Sequence, residues 1–256
     1  TDANAGNNSA TASTTVVVAS MSPAFALVPT AVAPGQAFTG LTLVCTNTGG
    51  SVATNPTCAP SASLGTVSAV SCSPTNPPTL AAGAAISCSF NYTAPGTAGG
   101  GDDGNTAIVF TGATSAANAN GGAVSNATAT ALVIDAVNDG PTTLQNNVAN
   151  VVNLLVNDTV GAVAATTTGM PNATVTANGA VTCSGCAATP TALAIAANGT
   201  VTVPALAVAG TYSVPYQVCA VPVNASPLPA ACDNAVATIT VQGRPDTAPS
   251  KCRQRR

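Results

Sequence analysis

The stretch Asp135-Ala-Val-Asn-Asp-Gly-Pro141 divides the chain, because one set of strand-like segments ends there and a second set begins. An acid or amide stands at 135, 138 and 139, and Gly140-Pro141 closes the run. Such a segment is short, rich in oxygen donors and turn-forming, which suits a rigid joint more than a hinge. Reading outward from it gives a polar leader at residues 1–13, a β-domain at 14–137, a second at 138–243 and a basic tail at 244–256. A chain of 256 residues is long enough for two domains, each with its own core.

Charge is distributed unevenly. Residues 1–243 hold seven Asp and no cation, a net of −7, while residues 244–256 hold Arg244, Lys251, Arg253, Arg255, Arg256 and Asp246, a net of +4; the two sum to −3. A body without Lys or Arg has nothing to neutralise a phosphate backbone, which excludes nucleic acid as a partner of the folded part. With no His, no Glu and the only Lys in the tail, Ser-His-Asp, Cys-His and paired-carboxylate machinery are expected to lack parts, and no enzyme is expected. The lack of Lys in the body also removes Lys–Asn isopeptide crosslinks. Low charge leaves little like-charge repulsion to oppose self-association, so a homo-oligomer or polymer is expected.

Nine cysteines stand at 45, 58, 72, 88, 183, 186, 219, 232 and 252: four in each half and one in the tail. Structural zinc would need paired knuckles or His, and here there is a single Cys-x-x-Cys and no His, so disulfides are expected. They imply an oxidising compartment and a secreted or cell-surface protein. No apolar run approaches the roughly 18 to 20 residues of a membrane span. A start at Thr1, with neither initiator Met nor basic n-region, reads as an exported chain after signal removal.

Aromatics make up only 3% of residues and Trp is absent, so the cores must rest on Ala, Val, Leu and Ile with covalent help. Period-two patterns are clear in Phe38–Cys45 (Leu41, Leu43, Cys45), Ile86–Tyr92 (Ile86, Cys88, Phe90, Tyr92) and Thr211–Cys219 (Tyr212, Val214, Tyr216, Val218). Further strands are predicted at 64–72, 106–111, 128–134, 148–156 and 235–241, and Asn178-Gly179 and Asn198-Gly199 predict two hairpins. Pro23, Pro29 and Pro34 confine residues 20–34 to edge or irregular extended structure. Many short strands and no helical period predict an all-β fold of two antiparallel β-sandwich domains in tandem.

A resemblance supports this. Pro34-Gly-Gln-Ala-Phe-Thr-Gly-Leu-Thr-Leu-Val-Cys-Thr-Asn47 and Leu80-Ala-Ala-Gly-Ala-Ala-Ile-Ser-Cys-Ser-Phe-Asn-Tyr-Thr-Ala94 resemble the bacterial conserved-repeat Ig-like domains of large surface proteins. Val151-Val-Asn-Leu-Leu-Val-Asn-Asp-Thr159, Asn198-Gly-Thr-Val-Thr-Val203 and Thr211-Tyr-Ser-Val-Pro-Tyr-Gln-Val-Cys219, followed by Cys232-Asp233, resemble cadherin-like tandem repeats. The resemblance implies disulfide-stapled Ig-like sandwiches used as spacers, adhesive stalks or fibre subunits. Four cysteines per half allow three connectivities each; proximity and the resemblance together favour Cys45–Cys58, Cys72–Cys88, Cys183–Cys186 and Cys219–Cys232. Cys252 is left as a candidate interchain cysteine or a free thiol. The resemblance also implies a candidate calcium site at Asp135, Asn138, Asp139 and Asp158, against which stands an Asx-turn at a domain boundary; no other cofactor is expected.

The β-branched run Thr14, Thr15, Val16, Val17, Val18, Ala19 has two readings: a donor strand that pairs with the sheet edge of a neighbouring molecule, or the first strand of its own domain. The function expected is a structural subunit of a bacterial extracellular filament or sheath, with a stalk segment of a large adhesin as the alternative. A carbohydrate-binding module or other glycan ligand is a weaker third, given no Trp and three Tyr for stacking on sugar rings.

Overall fold

The computed structural model describes residues 11–96, 104–119 and 124–243, and among these every regular element is a β-strand. The first half supplies β1 (Met21–Leu27), β2 (Ala31–Val32), β3 (Ala37–Asn47), β4 (Ala53–Thr54) and β5 (Thr57–Ala62). It continues with β6 (Thr66–Ser73), β7 (Thr79–Leu80), β8 (Ala85–Thr93), β9 (Ala107–Ser115) and β10 (Ser125–Asp135). One sheet has the order β1-β3-β8-β6; the facing layer runs β10-β9-β5, with β2 parallel to β10, and β4 pairs with β7. Leu41, Leu43 and Cys45 of β3 and Ile86, Cys88, Phe90 and Tyr92 of β8 are all buried, as the period of two requires. Pro23 sits in β1, a sheet edge, where its missing N–H leaves no gap in a central ladder. All four Phe and Tyr92 gather in this core; Tyr92 meets Phe110 edge-on at 4.8 Å, and Phe25 lies 6.4 Å from Phe90 and 6.3 Å from Phe110.

The second half supplies β11 (Asp139–Gln145), β12 (Asn150–Asn153), β13 (Thr159–Val160), β14 (Val163–Ala164) and β15 (Ala173–Ala177). β16 (Thr182–Ser184), β17 (Thr200–Val203), β18 (Gly210–Ala220) and β19 (Cys232–Gln242) complete it. Its main sheet is β11-β19-β18-β15, with β16 also on β18 and β11 parallel to β19. The β12-β17 pair belongs to the facing layer. Tyr212, Val214, Tyr216 and Val218 from β18 and Ala235, Ala237, Ile239 and Val241 from β19 point into a core otherwise made of aliphatic side chains, among them Leu154, Val201 and Val203.

One expected hairpin is corrected. β15 and β16, on either side of Asn178-Gly179, do not pair with each other; both lie along the same edge of β18. The Asn178 N–H donates to the Pro215 carbonyl at 3.1 Å, but Pro215 has no N–H to return, so the ladder breaks and the edge strand jogs through Gly179 at φ +144°. At Asn198-Gly199 the turn does form: Gly199 N donates to Ala196 O, Ala196 N donates to Thr200 O, and Ile195 bridges Val201.

Of the two readings of Thr14–Ala19, a regular first strand of its own domain is not formed among the described residues. No strand is formed through Thr14–Val18; Ala19 makes a single parallel bridge to Ala119, and β1 starts at Met21. Val16, Val17 and Val18 are 80%, 57% and 52% exposed, although the Val18 carbonyl accepts from Gly50 N.

The halves meet along β10. Residues 125–132 of β10 pair with β9, Leu132 and Val133 pair with β2, and Ile134 and Asp135 pair with β13. Side chains here alternate between cores: Ala131 and Val133 enter the first, Ile134 and Ala136 the second, while Val32 enters the first and Ala31 and Ala33 the second. Segments 31–33 and 131–136 thus form a wall common to both cores.

Candidate functional site

Polar side chains lock this wall in place. Asn224, buried between β18 and β19, accepts from Thr30 N at 2.9 Å and Ala31 N at 3.0 Å through Oδ1. Its Nδ2 donates to Ala31 O at 2.8 Å and Pro229 O at 2.9 Å. Gln36 Nε2 donates to Ala230 O at 2.8 Å, Ala136 N donates to Asp233 Oδ2 at 3.0 Å, and Val236 N donates to Asn138 Oδ1 at 2.7 Å. Gly140 holds φ +98°, and a Cβ there would strike the Thr238 carbonyl, so only glycine permits β11 to turn onto β19 at this point.

Every aspartate among the described residues belongs to this region: Asp135 on β10, Asp139 on β11, Asp158 just before β13 and Asp233 on β19. At its centre stands Tyr216 of β18, fully buried. The phenol oxygen lies 2.9 Å from Asp139 Oδ2, 3.0 Å from Leu154 O, 3.1 Å from Val137 O and 3.3 Å from Asp158 Oδ1. Asp158 is 1% exposed; its Oδ1 also accepts from Val137 N at 2.8 Å, and its Oδ2 is buried with no hydrogen-bond partner. Burial pushes the Asp158 carboxyl up to about 7, with Asp139 and Asp135 adding repulsion and the Val137 and Tyr216 hydrogen bonds opposing it. Burial likewise raises Asp139 to about 6, partly offset by the Tyr216 hydrogen bond. Tyr216 is raised well above the ordinary phenol range by burial and by Asp158 and Asp139.

The structure brings together Asp135, Asp139 and Asp158, three of the four residues of the expected calcium set. Asn138 turns its oxygen to Val236 N. The Tyr216 hydroxyl occupies the space between Asp139 and Asp158, and calcium would need six to eight oxygens at about 2.3–2.6 Å around one point. Among the described residues no group of three acidic or sulfur ligands is placed to hold a metal.

Tyr216, Asp233 and Asn224 escape sequence reasoning. Tyr216 reads only as one more inward residue of an alternating strand, and Asn224 acts on residues 193 and 194 positions away. The signal available was scarcity: in a chain this poor in charge, each aspartate between strands warrants a partner.

Disulfides join Cys45 to Cys58, Cys72 to Cys88, Cys183 to Cys186 and Cys219 to Cys232. Cys45–Cys58 crosses from β3 in one sheet to β5 in the other, whereas Cys72–Cys88 and Cys219–Cys232 link directly opposed positions of neighbouring strands. Cys183–Cys186 closes a small loop against Gly210, where a Cβ would lie 2.6 Å and 2.7 Å from the two sulfurs. Cys252, with the rest of the basic tail, lies outside the described residues, as do residues 1–10 and Asp102-Asp103. All three tyrosines are fully buried, which leaves no tyrosine face for a sugar ring. No described helix is long and apolar enough to cross a membrane.

Neither a family model nor a curated protein matches the chain. Solved structures do. The mouse nectin-like molecule 4 ectodomain (Ig1–Ig3) is 14% identical with a TM-score of 0.35, over 90% of this chain and 67% of that one. Protocadherin gamma B2 extracellular cadherin domains 3–6 are 9% identical, TM-score 0.30, over 88% and 50%. The Yersinia pseudotuberculosis adhesin InvE is 17% identical, TM-score 0.27, over 87% and 60%. The chain spans half to two thirds of the length of these longer molecules.

Proposed function

We propose that the chain is an exported structural module whose domains, 14–137 and 138–243, act as one stiff, disulfide-stapled unit, and that such units join as the repeating subunit of an extracellular filament or sheath. The observation that carries the reading is the Thr14–Val18 run: a β-branched segment with exposed valines that joins no strand ladder among the described residues. Donated to an open sheet edge of a second copy, it would gain a ladder of backbone hydrogen bonds. Edges such as β6 and β15 carry no charged side chain to discourage that pairing. The +4 tail offers an end for the −7 body of the next copy, an attraction that salt weakens. A stalk segment of a large adhesin is the second reading, favoured by the hydrogen-bonded wall, which suits a spacer that must not bend.

Electron microscopy of the purified chain and of variants lacking residues 1–19 or 244–256 tests this. The expected result is filaments from the parent and single particles from the first deletion. Filaments from both deletions indistinguishable from the parent would rule out terminal exchange, and single particles from the parent would favour the stalk.

A further inference from the structure

The sequence Asn-x-Ser/Thr, with x other than proline, is the acceptor signal for sugar on asparagine, and among the described residues it begins at Asn91, Asn126, Asn157, Asn172, Asn198 and Asn224. In a chain so rich in Asn and Thr the signal alone says little, and the fold decides which amide a transferase could reach. Asn224 is buried, with Nδ2 donating to Ala31 O and Pro229 O. Asn172 Nδ2 donates to Ala164 O at 3.1 Å while its Oδ1 accepts from Thr166 N at 2.7 Å, and Asn157 Nδ2 donates to Asn138 O at 3.2 Å. Asn91 lies in β8, which is paired on both sides, by β3 and by β6. Asn126 lies in β10, within its ladder to β9.

Asn198 differs on each count. It is exposed, outside any ladder, on the turn closed by the bridge between Ile195 and Val201. That turn is held from beneath: Gly199 is buried at φ +78°, its carbonyl accepts from Leu154 N at 2.9 Å, and a Cβ there would strike the Leu155 side chain. Asn198 Oδ1 accepts from Thr200 N at 3.2 Å and from Thr200 Oγ1 at 2.7 Å, so the amide and the hydroxyl of one signal already face each other. Both bonds fall on the oxygen, and no described residue accepts from Nδ2. An amide nitrogen is a weak nucleophile because its lone pair is shared with its carbonyl. Two donors on Oδ1 stabilise the negative charge that gathers there as Nδ2 gives up a proton.

We propose that Asn198 is a glycosylation site of the folded chain, taking a sugar from a donor whose anomeric carbon is linked to a diphosphate. Nδ2 attacks that carbon and an N–C bond forms. The C–O bond to the diphosphate breaks, the diphosphate leaves with the electron pair, and Nδ2 loses one proton. The chain supplies only the acceptor; the donor, with its diphosphate carried on a nucleoside or on a polyprenol, and the transferase come from outside it. A sugar on this turn adds hydrated bulk to the second sandwich of a body that has few charges of its own, whether that body serves in a filament or in a stalk.

The test is glycosylation of the purified, folded full chain in two arms. One uses a soluble transferase that reads Asn-x-Ser/Thr, supplied with uridine diphosphate glucose; the other uses membranes bearing a polyprenyl diphosphate oligosaccharide and their own transferase. Peptides are cut with elastase, because residues 1–243 offer trypsin no Lys or Arg, and mapped by mass spectrometry. Sugar is expected on Asn198 in at least one arm, before any other asparagine, and the arm in which it appears identifies the carrier. Asn198→Gln and Thr200→Ala should each abolish it, and Thr200→Ser, which keeps the hydroxyl, should retain it. The reduced, denatured chain should take sugar at several of the six positions. Mapping the unmutated chain supplies a readout that no variant's folding can confound. Addition at Asn126 or elsewhere ahead of Asn198 in the folded chain, none at Asn198 in either arm, or the same pattern in the folded and denatured forms would overturn the proposal.

Discussion

In the first sandwich the Cys45–Cys58 disulfide reaches from β3 in one sheet to β5 in the other, and five aromatic rings fill the space beside it. In the second, the described disulfides stay within one sheet or one loop, and the only rings are Tyr212 and Tyr216. There the layers are tied by a phenol that reaches from β18 across to Val137, Leu154 and two carboxyl groups. Both halves are poor in aromatics and must add something to a mainly aliphatic core, and they add different chemistry: a covalent bond answerable to redox, and a buried polar cluster. A shared architecture does not fix how its layers are held.

Phe110 is fully buried and packs edge-on against Tyr92, so Phe110→Ala should cost about 3 to 5 kcal/mol by denaturant unfolding. A loss below about 1 kcal/mol would mean that the aromatic cluster does not carry the first core. Next, the joint replacement of Cys45 and Cys58 by Ala removes a crosslink spanning 13 positions and should cost about 3 kcal/mol by the same measurement. The smallest effect belongs to Cys183 and Cys186, only 3 positions apart: their replacement by Ser should cost less than about 2 kcal/mol, read from the same unfolding curves.

Much of the fold was legible because a half-buried strand prints its burial in a period of two. Leu41, Leu43 and Cys45, and Tyr212 through Val218, could be placed inside from their spacing alone. Pairing was less legible. Asn178-Gly179 carries a strong hairpin signal, yet what decides its geometry is Pro215, more than thirty positions later, whose missing N–H interrupts the edge. The joint was located from its oxygens, but its working parts were not. Asn138, Asp139 and Asp158 could be named, whereas alternation said only that Tyr216 faces inward and nothing local tied Asn224 to Thr30 or Asp233 to Ala136. Contacts made across two cores leave no imprint within either segment's own pattern.

β10 has a mechanical consequence. It is one strand of 11 residues, hydrogen-bonded to β9 along most of its length and to β13 at its end, so an extended piece of backbone leaves one core and enters the other without a loop between. A pull that stretches the molecule lengthwise is carried by covalent bonds along that strand and resisted by its ladders loaded in shear, where several hydrogen bonds must yield together rather than one after another.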